Sequence, residues 1–350
     1  MAARRTTMKD VAEHAGVSKS AVSLAFNDAS KLSEDTLRRI LAAADELGFS
    51  QDPTARMLRT RRTGSLGLLL PQQIGKVFEN PYYSMFLQGV GQVCNREGYT
   101  LLLAPPLRGS MLKTIPYAAV DGFIVAGLES DRGEVQALRK RGIPFVLVDS
   151  EWHDGVPSVD IEDGSGIADV VEHLLAHGHR RIAFAVIETG IDGGYRHWRG
   201  PVLRRMEGAI KGLASAGLTP DSEEVTVVEV PCTRAGGVDA FKDLWSRHER
   251  PTAIVAFSDV IAYGILDAAR EAGVDIPSQL SVSGFDDLAE SSWTTPTLTT
   301  IRQPIATKGR LAADYLIEAI NGSVDPEPRQ QRLSTALLLR ESTGPVPPDR

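Results

Sequence analysis

Between residues 7 and 48, apolar side chains recur every three or four positions, and each run is bounded by residues that start or stop helices. The pattern predicts three short helices. Thr7 opens the first: its hydroxyl can cap, Asp10 falls at the third helical position, Val11, Ala12 and Ala15 form the apolar stripe, and Gly16 breaks the run. Ser18 opens a second helix that runs through Val22 and Phe26 to about Asn27. Ser33 opens a third, with Leu37, Ile40, Leu41, Ala44 and Leu47 as its apolar face and Gly48 as its stop.

Residues 52–62 read differently. Asp52 followed by Pro53 is a strong helix start, and Thr54 to Arg59 gives two turns at most, too short to hold without a surface to pack on. Arg59, Arg61 and Arg62 add positive charge before Gly64. From Ser65 onward, apolar runs of strand length alternate with helical stretches such as Tyr82 to Gly98. The runs are 67–70, 100–104, 120–126, 145–148, 182–186, 225–228, 253–256 and 280–284. That alternation predicts an α/β body of parallel sheets wrapped by helices, and so many strands point to two stacked lobes.

Composition removes several classes. With 42% hydrophobic and 24% charged residues the chain of 350 is globular, and it has no apolar run of bilayer-spanning length. Arg4 and Arg5 are followed by no apolar signal region, so a cytoplasmic location is expected. Cys94 and Cys232 are far apart and lack partners at metal spacing; both read as small core residues. The net charge of −7 is unevenly spread: residues 1–62 hold 11 Lys and Arg against 8 Asp and Glu, and the rest 27 against 37. A basic head on an acidic body suits a DNA reader joined to a domain that does not touch DNA. His173 and His177 have the spacing of helix metal ligands, with His179 nearby, but they also suit a helix end closed by Gly178. No metal, cofactor or catalytic residue is called: dinucleotide-binding, P-loop and serine-hydrolase motifs are absent.

The stretch from Asp10 to Asn27 has the physics of a helix-turn-helix: small Ala12, turn-forming Gly16, and Val17 and Val22 locking two helices so that the second offers its first residues to a major groove. An ordinary three-helix bundle shares that spacing. The order "MKDVAEHAGVSKSAVSLAFND", "LGF", "ARMLRTRRTGSLGLLL" resembles the head, hinge and first strand of the LacI family of transcriptional regulators. The likeness continues through "GYTLLLA", "VDGFIV", "HLLAHGHRRIAF", "SVSGFDD", "TPTLTTIRQP" and "LLLREST". It implies that Lys19 and Ser20 read base edges, and that Thr7, Ser18, Ser23 and Asn27 contact phosphates. Leu24 stands where many relatives carry a base-reading arginine, leaving contact with a thymine methyl group as its option. Ala55 and Leu58 are implied to enter the minor groove, with Arg56 as basic companion.

For the body, the resemblance implies a periplasmic-binding-protein-like pair of lobes with a small, sugar-like effector in the cleft. Asp286 is the carboxylate for ligand hydroxyls, Asp149, Ser258 and Gln303 are further cleft residues, and Tyr82 and Tyr83 are the aromatic ones. Leu203 departs from the family's ligand-gripping arginine, which leaves Arg199 or Arg204 to substitute. The loop from Glu188 to Gly200 is longer than usual, and the segment from Pro105 to Tyr117 shorter. Asp259 and Asp287 read as turn or cap residues; Trp198 and Trp293 suit either sugar stacking or packing. The expected domains are a head (1–50), a hinge (51–63), a body (64–341) and an irregular tail (342–350). Within the body the first lobe takes about 64–160 and 300–325, and the second about 161–299 and 326–341. The expected partners are double-stranded operator DNA, a small-molecule effector and a second copy of the chain. No leucine heptad follows Glu341, so a dimer without a tetramerisation helix is expected, with no membrane partner. A sugar-binding module without gene control, an α/β enzyme and a DNA binder that has lost its switch are the rival readings.

Overall fold

The computed structural model describes residues 6–50, 57, 60–128, 133–150, 152–322 and 329–347. They form two units, Met1–Gly64 and Ser65–Arg350.

The three α-helices between residues 7 and 48 each begin at a side-chain cap. Helix α1 (Met8–Ala15) has a full capping box: Thr7 accepts from the Asp10 amide while the Asp10 carboxylate accepts from the Thr7 amide at 2.8 Å. Gly16 ends it in the left-handed region, and Arg39 closes the turn by donating to the Ala15 carbonyl at 2.6 Å. Ser18 caps α2 (Lys19–Asn27) and Ser33 caps α3 (Glu34–Glu46), whose last cap is Leu47, with Gly48 at φ 58° just beyond. Val11, Ala12, Ala15, Val22, Ala25, Ile40, Ala43 and Ala44 are the core.

The second unit is built on two parallel sheets. The first contains β1 (Ser65–Leu69), β2 (Thr100–Ala104), β3 (Gly122–Ala126), β4 (Phe145–Val148) and β5 (Ser158–Ile161). It carries α4 (Ile74–Glu79), α5 (Pro81–Glu97), the single turn α6 (Met111–Thr114) and α7 (Glu134–Arg141). The chain then enters the second lobe through α8 (Asp163–Ala176) and β6 (Ile182–Ile187), followed by α9 (Gly200–Ala214) and β7 (Val225–Val230). Next come α10 (Arg234–Ser246), β8 (Ala253–Ala256), α11 (Asp259–Glu271) and β9 (Ser281–Ser283). A return through β10 (Thr300–Arg302) leads to α12 (Ile305–Ile320), β11 (Gln330–Leu333) and β12 (Ala336–Leu338).

The strand orders are β11-β5-β4-β3-β1-β2 and β7-β6-β8-β9, with β10 and β12 paired antiparallel as a separate two-stranded ribbon. Strand β11 corrects one expectation: residues 330–333 extend the first sheet by pairing with β5, Gln330 against Ser158 and Leu333 against Ile161, so the return to the second lobe comes after Leu333 and not at 326. The chain therefore passes between lobes three times, at 161–163, 299–305 and 333–336. The tail also is more than an irregular end: Ser342 is buried, donates to the Val282 carbonyl at 2.6 Å and accepts from the Thr299 amide.

Three helix pairs cover the sheets, and each meets at glycine. A Cβ on Gly89 of α5 would lie 1.9 Å from the Ala306 carbonyl oxygen of α12, and one on Gly309 would lie 2.2 Å from that of Phe86. Gly208 of α9 meets Gly164 of α8 at 2.1 Å in the same sense, and Gly264 of α11 meets Arg234 of α10 at 1.9 Å. No heavier residue fits these crossings without moving a helix. No helix among the described residues is long and apolar enough to cross a membrane.

Candidate functional site

In the first unit the candidate DNA-reading surface is the start of α2. The Ser18 hydroxyl accepts from the Ala21 amide at 3.1 Å, which fixes the helix start, and Ser18, Lys19 and Ser20 are all exposed there. Ser23 and Leu24 follow one turn later and are half-buried; Thr7 is exposed at the start of α1. Val22 and Ala25 on the opposite face are buried and hold α2 against its neighbours. The residues called for the minor groove, Ala55, Arg56 and Leu58, lie outside the described residues, as do Asp52, Pro53 and the side chain of Asn27.

In the second unit a cleft of about 280 Å³ opens where the carboxyl ends of both parallel sheets converge, the place where open α/β sheets put ligands. Pro71 follows β1, Ala126 and Gly127 end β3, and Asp149 follows β4. From the second lobe come Ile187 and Glu188 at the end of β6, Cys232 after β7, Ser258 after β8 and Asp286 after β9. Tyr82 and Tyr83 enter from the first turn of α5, Gln303 from beyond β10.

Two carboxylates dominate the chemistry. Asp149 and Asp286 both have positive φ, 46° and 128°, a region side-chain-bearing residues rarely adopt and which clusters at binding sites. Burial alone would raise the Asp149 carboxyl, but the Lys308 ammonium, which donates to Oδ2, holds it below its ordinary value. Tyr82 donates to the same oxygen at 2.5 Å, and burial and that carboxylate push the phenol well up. Oδ1 of Asp149 is buried and has no hydrogen-bond partner among the described residues, which leaves one acceptor over in the cleft wall. Lys308 is fully buried, 5.0 Å from the centre of the Tyr82 ring, and donates also to Gln303 Oε1 at 2.7 Å.

Asp286 accepts from the Gln303 amide and from the Ser258 hydroxyl at 3.1 Å. Burial pushes it up to about 6, against the pull of Arg205, Gln303, Ser258 and Lys308. Behind it Asp259 is pushed to about 7 by burial and by Asp286, although Thr300, Leu288 and Ser291 all donate to it. Asp259 thus ties α11 to the lobe's interior and does not line the cleft, and Asp287 is paired with Arg302 at 2.7 Å and Arg340 at 2.6 Å; both behave as framework residues.

The cleft arginine is Arg205. It is 7% exposed, lies 3.7 Å over the Phe285 ring, donates to Asp163 at 2.9 Å and to the Phe257 carbonyl at 2.5 Å, and borders the cleft. Arg199 and Arg204 do not line it. Arg204 turns to Asp163 Oδ2 at 2.9 Å and to Asp160, and Arg199 donates to the His197 and Trp198 carbonyls. The residue that sequence reasoning passed over is therefore one position along from a residue it chose. A readable signal existed: Val202, Arg205, Met206, Ala209 and Leu213 keep helical spacing and are all buried. Cys232 lines the cleft and is half-buried, whereas Cys94 is buried as expected. Trp198 is buried as a packing residue and Trp293 is 74% exposed, and neither lines the cleft. The His173 and His177 rings lie 4.3 Å apart, tilted by 50°, while His179 is fully buried between Thr252 and the Gly344 carbonyl.

A helix-turn-helix unit followed by a two-lobed α/β body with a cleft at its strand ends defines a DNA-binding transcriptional regulator with a periplasmic-binding-protein-like body. Residues 7–52 match the model for bacterial regulatory proteins of the lacI family, and residues 171–343 that for a periplasmic binding protein-like domain. The HTH-type transcriptional regulator MalR of Streptomyces coelicolor is 33% identical over 359 residues, covering 99% of this chain and 98% of its own. The ribose operon repressor of Escherichia coli K12 is 33% identical over 344 residues, covering 96% and 98%. Among solved structures, the transcriptional regulator CelR–cellobiose complex superposes with a TM-score of 0.71 at 28% identity over 97% of this chain and 100% of that one. The lac repressor dimer bound to operator and the anti-inducer ONPF superposes with a TM-score of 0.80 at 23% identity, covering 97% and 100%, a likeness of fold. The chain belongs to the LacI family of DNA-binding transcriptional regulators, a family of regulators and not of enzymes.

Proposed function

We propose that this regulator is a cytoplasmic repressor that binds a pseudo-palindromic operator as a homodimer and is switched by a neutral, hydroxyl-rich effector, a sugar, in the cleft. The leftover acceptor on Asp149 carries the effector reading, because a buried carboxylate oxygen without a donor is costly unless something arrives to satisfy it. The charges around it select the ligand. An anion would face Asp149 and Asp286, and a cation would face Arg205 and Lys308. Hydroxyl groups, which donate to the carboxylates and accept from the arginine, suit both.

On the DNA side, exposed Lys19 and Ser20 at the start of a capped helix suit base contact, and Thr7, Ser18, Ser23 and Asn27 suit phosphate contact. Leu24 is the apolar reader, and Ala55, Arg56 and Leu58 are proposed for the minor groove. The effector acts by having different affinity for the lobe arrangements that favour and disfavour operator. The experiment is selection of DNA from a random pool with the full-length protein, over a salt series, followed by sugar addition to the selected site. The expected result is a pseudo-palindrome bound with a steep salt dependence, its affinity changed by a sugar. Binding that stays featureless with every sugar added would overturn the reading.

A further inference from the structure

A second space of about 210 Å³ adjoins the cleft and shares two wall residues with it, Pro71 and Gly127. Gly127 puts no side chain between the two spaces. The two chain segments whose lengths stood out in the sequence meet here. The short connection after β2 contributes Ser110, and the long loop after β6 contributes Thr189 and Ile191. A buried carboxylate, Glu134, completes the lining.

Both segments are braced. Leu107 and Ser110 bond to each other's backbone in both directions across a tight turn, and Thr114 donates to the Pro105 carbonyl at 2.6 Å while accepting from the Leu107 amide. On the other wall, Glu229 accepts from the Thr189 amide at 3.2 Å, and the Ile191 amide donates back to the Thr189 hydroxyl. Walls held in this way keep their shape without a ligand, which lowers the ordering cost of binding. The mixture is also specific. A hydroxyl and a carboxylate beside the apolar flanks of Pro71 and Ile191 match the polar edge and apolar face of a pyranose ring. Each space alone lies below the roughly 300–1,000 Å³ of sites that enclose drug-sized ligands, and the two together fall inside that range.

We propose that the effector occupies both spaces: it is a disaccharide whose first ring sits between Asp149, Asp286 and Arg205 and whose second ring sits against Ser110, Glu134, Thr189 and Ile191. This rests on the sugar reading of the cleft. The test is thermal-shift screening of the full-length protein against a library of monosaccharides and disaccharides, followed by calorimetry on the binders. The expected result is at least one disaccharide that binds ten times tighter or more than either of its component sugars. Ser110→Trp, at a side chain with no role in the core, should lower that preference at least tenfold by filling the second space. Ile191→Ala, which removes a wall without adding bulk, should reduce it in the same direction. Monosaccharides binding as tightly as their disaccharides, or a preference unchanged in both variants, would overturn the second ring's place and leave the cleft reading standing. The absence of any sugar binder would instead sink the cleft reading itself, and this proposal with it.

Discussion

At the scale of single residues, the cleft holds two carboxylates at different points of their titration. Asp149 is kept ionised by a buried ammonium that donates to it directly, whereas the Asp286 carboxyl, backed by Asp259, is raised by burial that the Arg205 guanidinium, Gln303, Ser258 and the charge of Lys308 offset only in part. A carboxyl whose folded value is raised, from 3.8 to about 6, adds stability at low pH and loses it as pH climbs through that value. The body of the wild type should therefore lose thermal stability relative to Asp286→Asn as pH rises from about 4 to about 6. Sugar affinity should move the other way, strengthening as Asp286 ionises, and Asp286→Asn should weaken it by about 10- to 100-fold at neutral pH. Melting curves and calorimetry over the same buffers check both signs; parallel pH profiles in wild type and variant would refute the assignment. Asp286, Asp149 and Ser258 were expected in the cleft from the family resemblance alone; each sits one to three positions past a strand and lines the cleft. Arg205 was not expected there, because successive helical residues point about 100° apart and Arg204 beside it has the same chemistry. Only the helix phase, set by Val202, Met206 and Ala209, separates the two.

At the scale of elements, the three glycine crossings set how much change each helix pair tolerates. Gly309→Ala should destabilise the body by about 1–3 kcal/mol, since the new methyl meets the Phe86 carbonyl in a crossing with no slack. Gly91 lies in α5 as well, yet a Cβ there meets nothing within 4 Å, so Gly91→Ala should stabilise by about 0.4–1 kcal/mol. Thermal melts of the two variants should shift in opposite directions; equal losses would show that helix propensity and not the close approach governs these sites. Apolar strands such as β3 and β8 were readable from their unbroken runs, as expected for strands covered on both faces. Strand β11 was not. Gln330, Gln331 and Arg332 are exposed and carry no alternation, so nothing local marks them as a strand. Their register with Ser158 to Asp160 supplies the pairing, a relation between residues about half the chain apart. The short strands β10 and β12 were missed for the same reason, each having three residues paired across a long separation.

At the scale of the whole molecule, order along the chain and order in space disagree, and this is what the sequence pattern hid most completely. A count of strands predicts two lobes, but it does not say which lobe claims the last strands. The three passages between lobes have a consequence for synthesis. As the ribosome delivers the chain from the amino end, the first sheet emerges early but lacks its edge strand β11 and its covering helix α12, both made after residue 304. The second sheet, by contrast, is complete once residue 283 is out, with α8 to α11 already in place. The later lobe is thus expected to fold first, and the earlier one to wait, part-collapsed, for its missing pieces. Pulse proteolysis of stalled nascent chains should show protection of residues 163–283 at a shorter chain length than protection of residues 65–161. If the early segment were protected first, α12 and β11 would be dispensable trim. If the later segment is, translation itself exposes the apolar face of the first sheet for the time taken to make the second, and that interval, more than the finished fold, sets when this chain needs a chaperone.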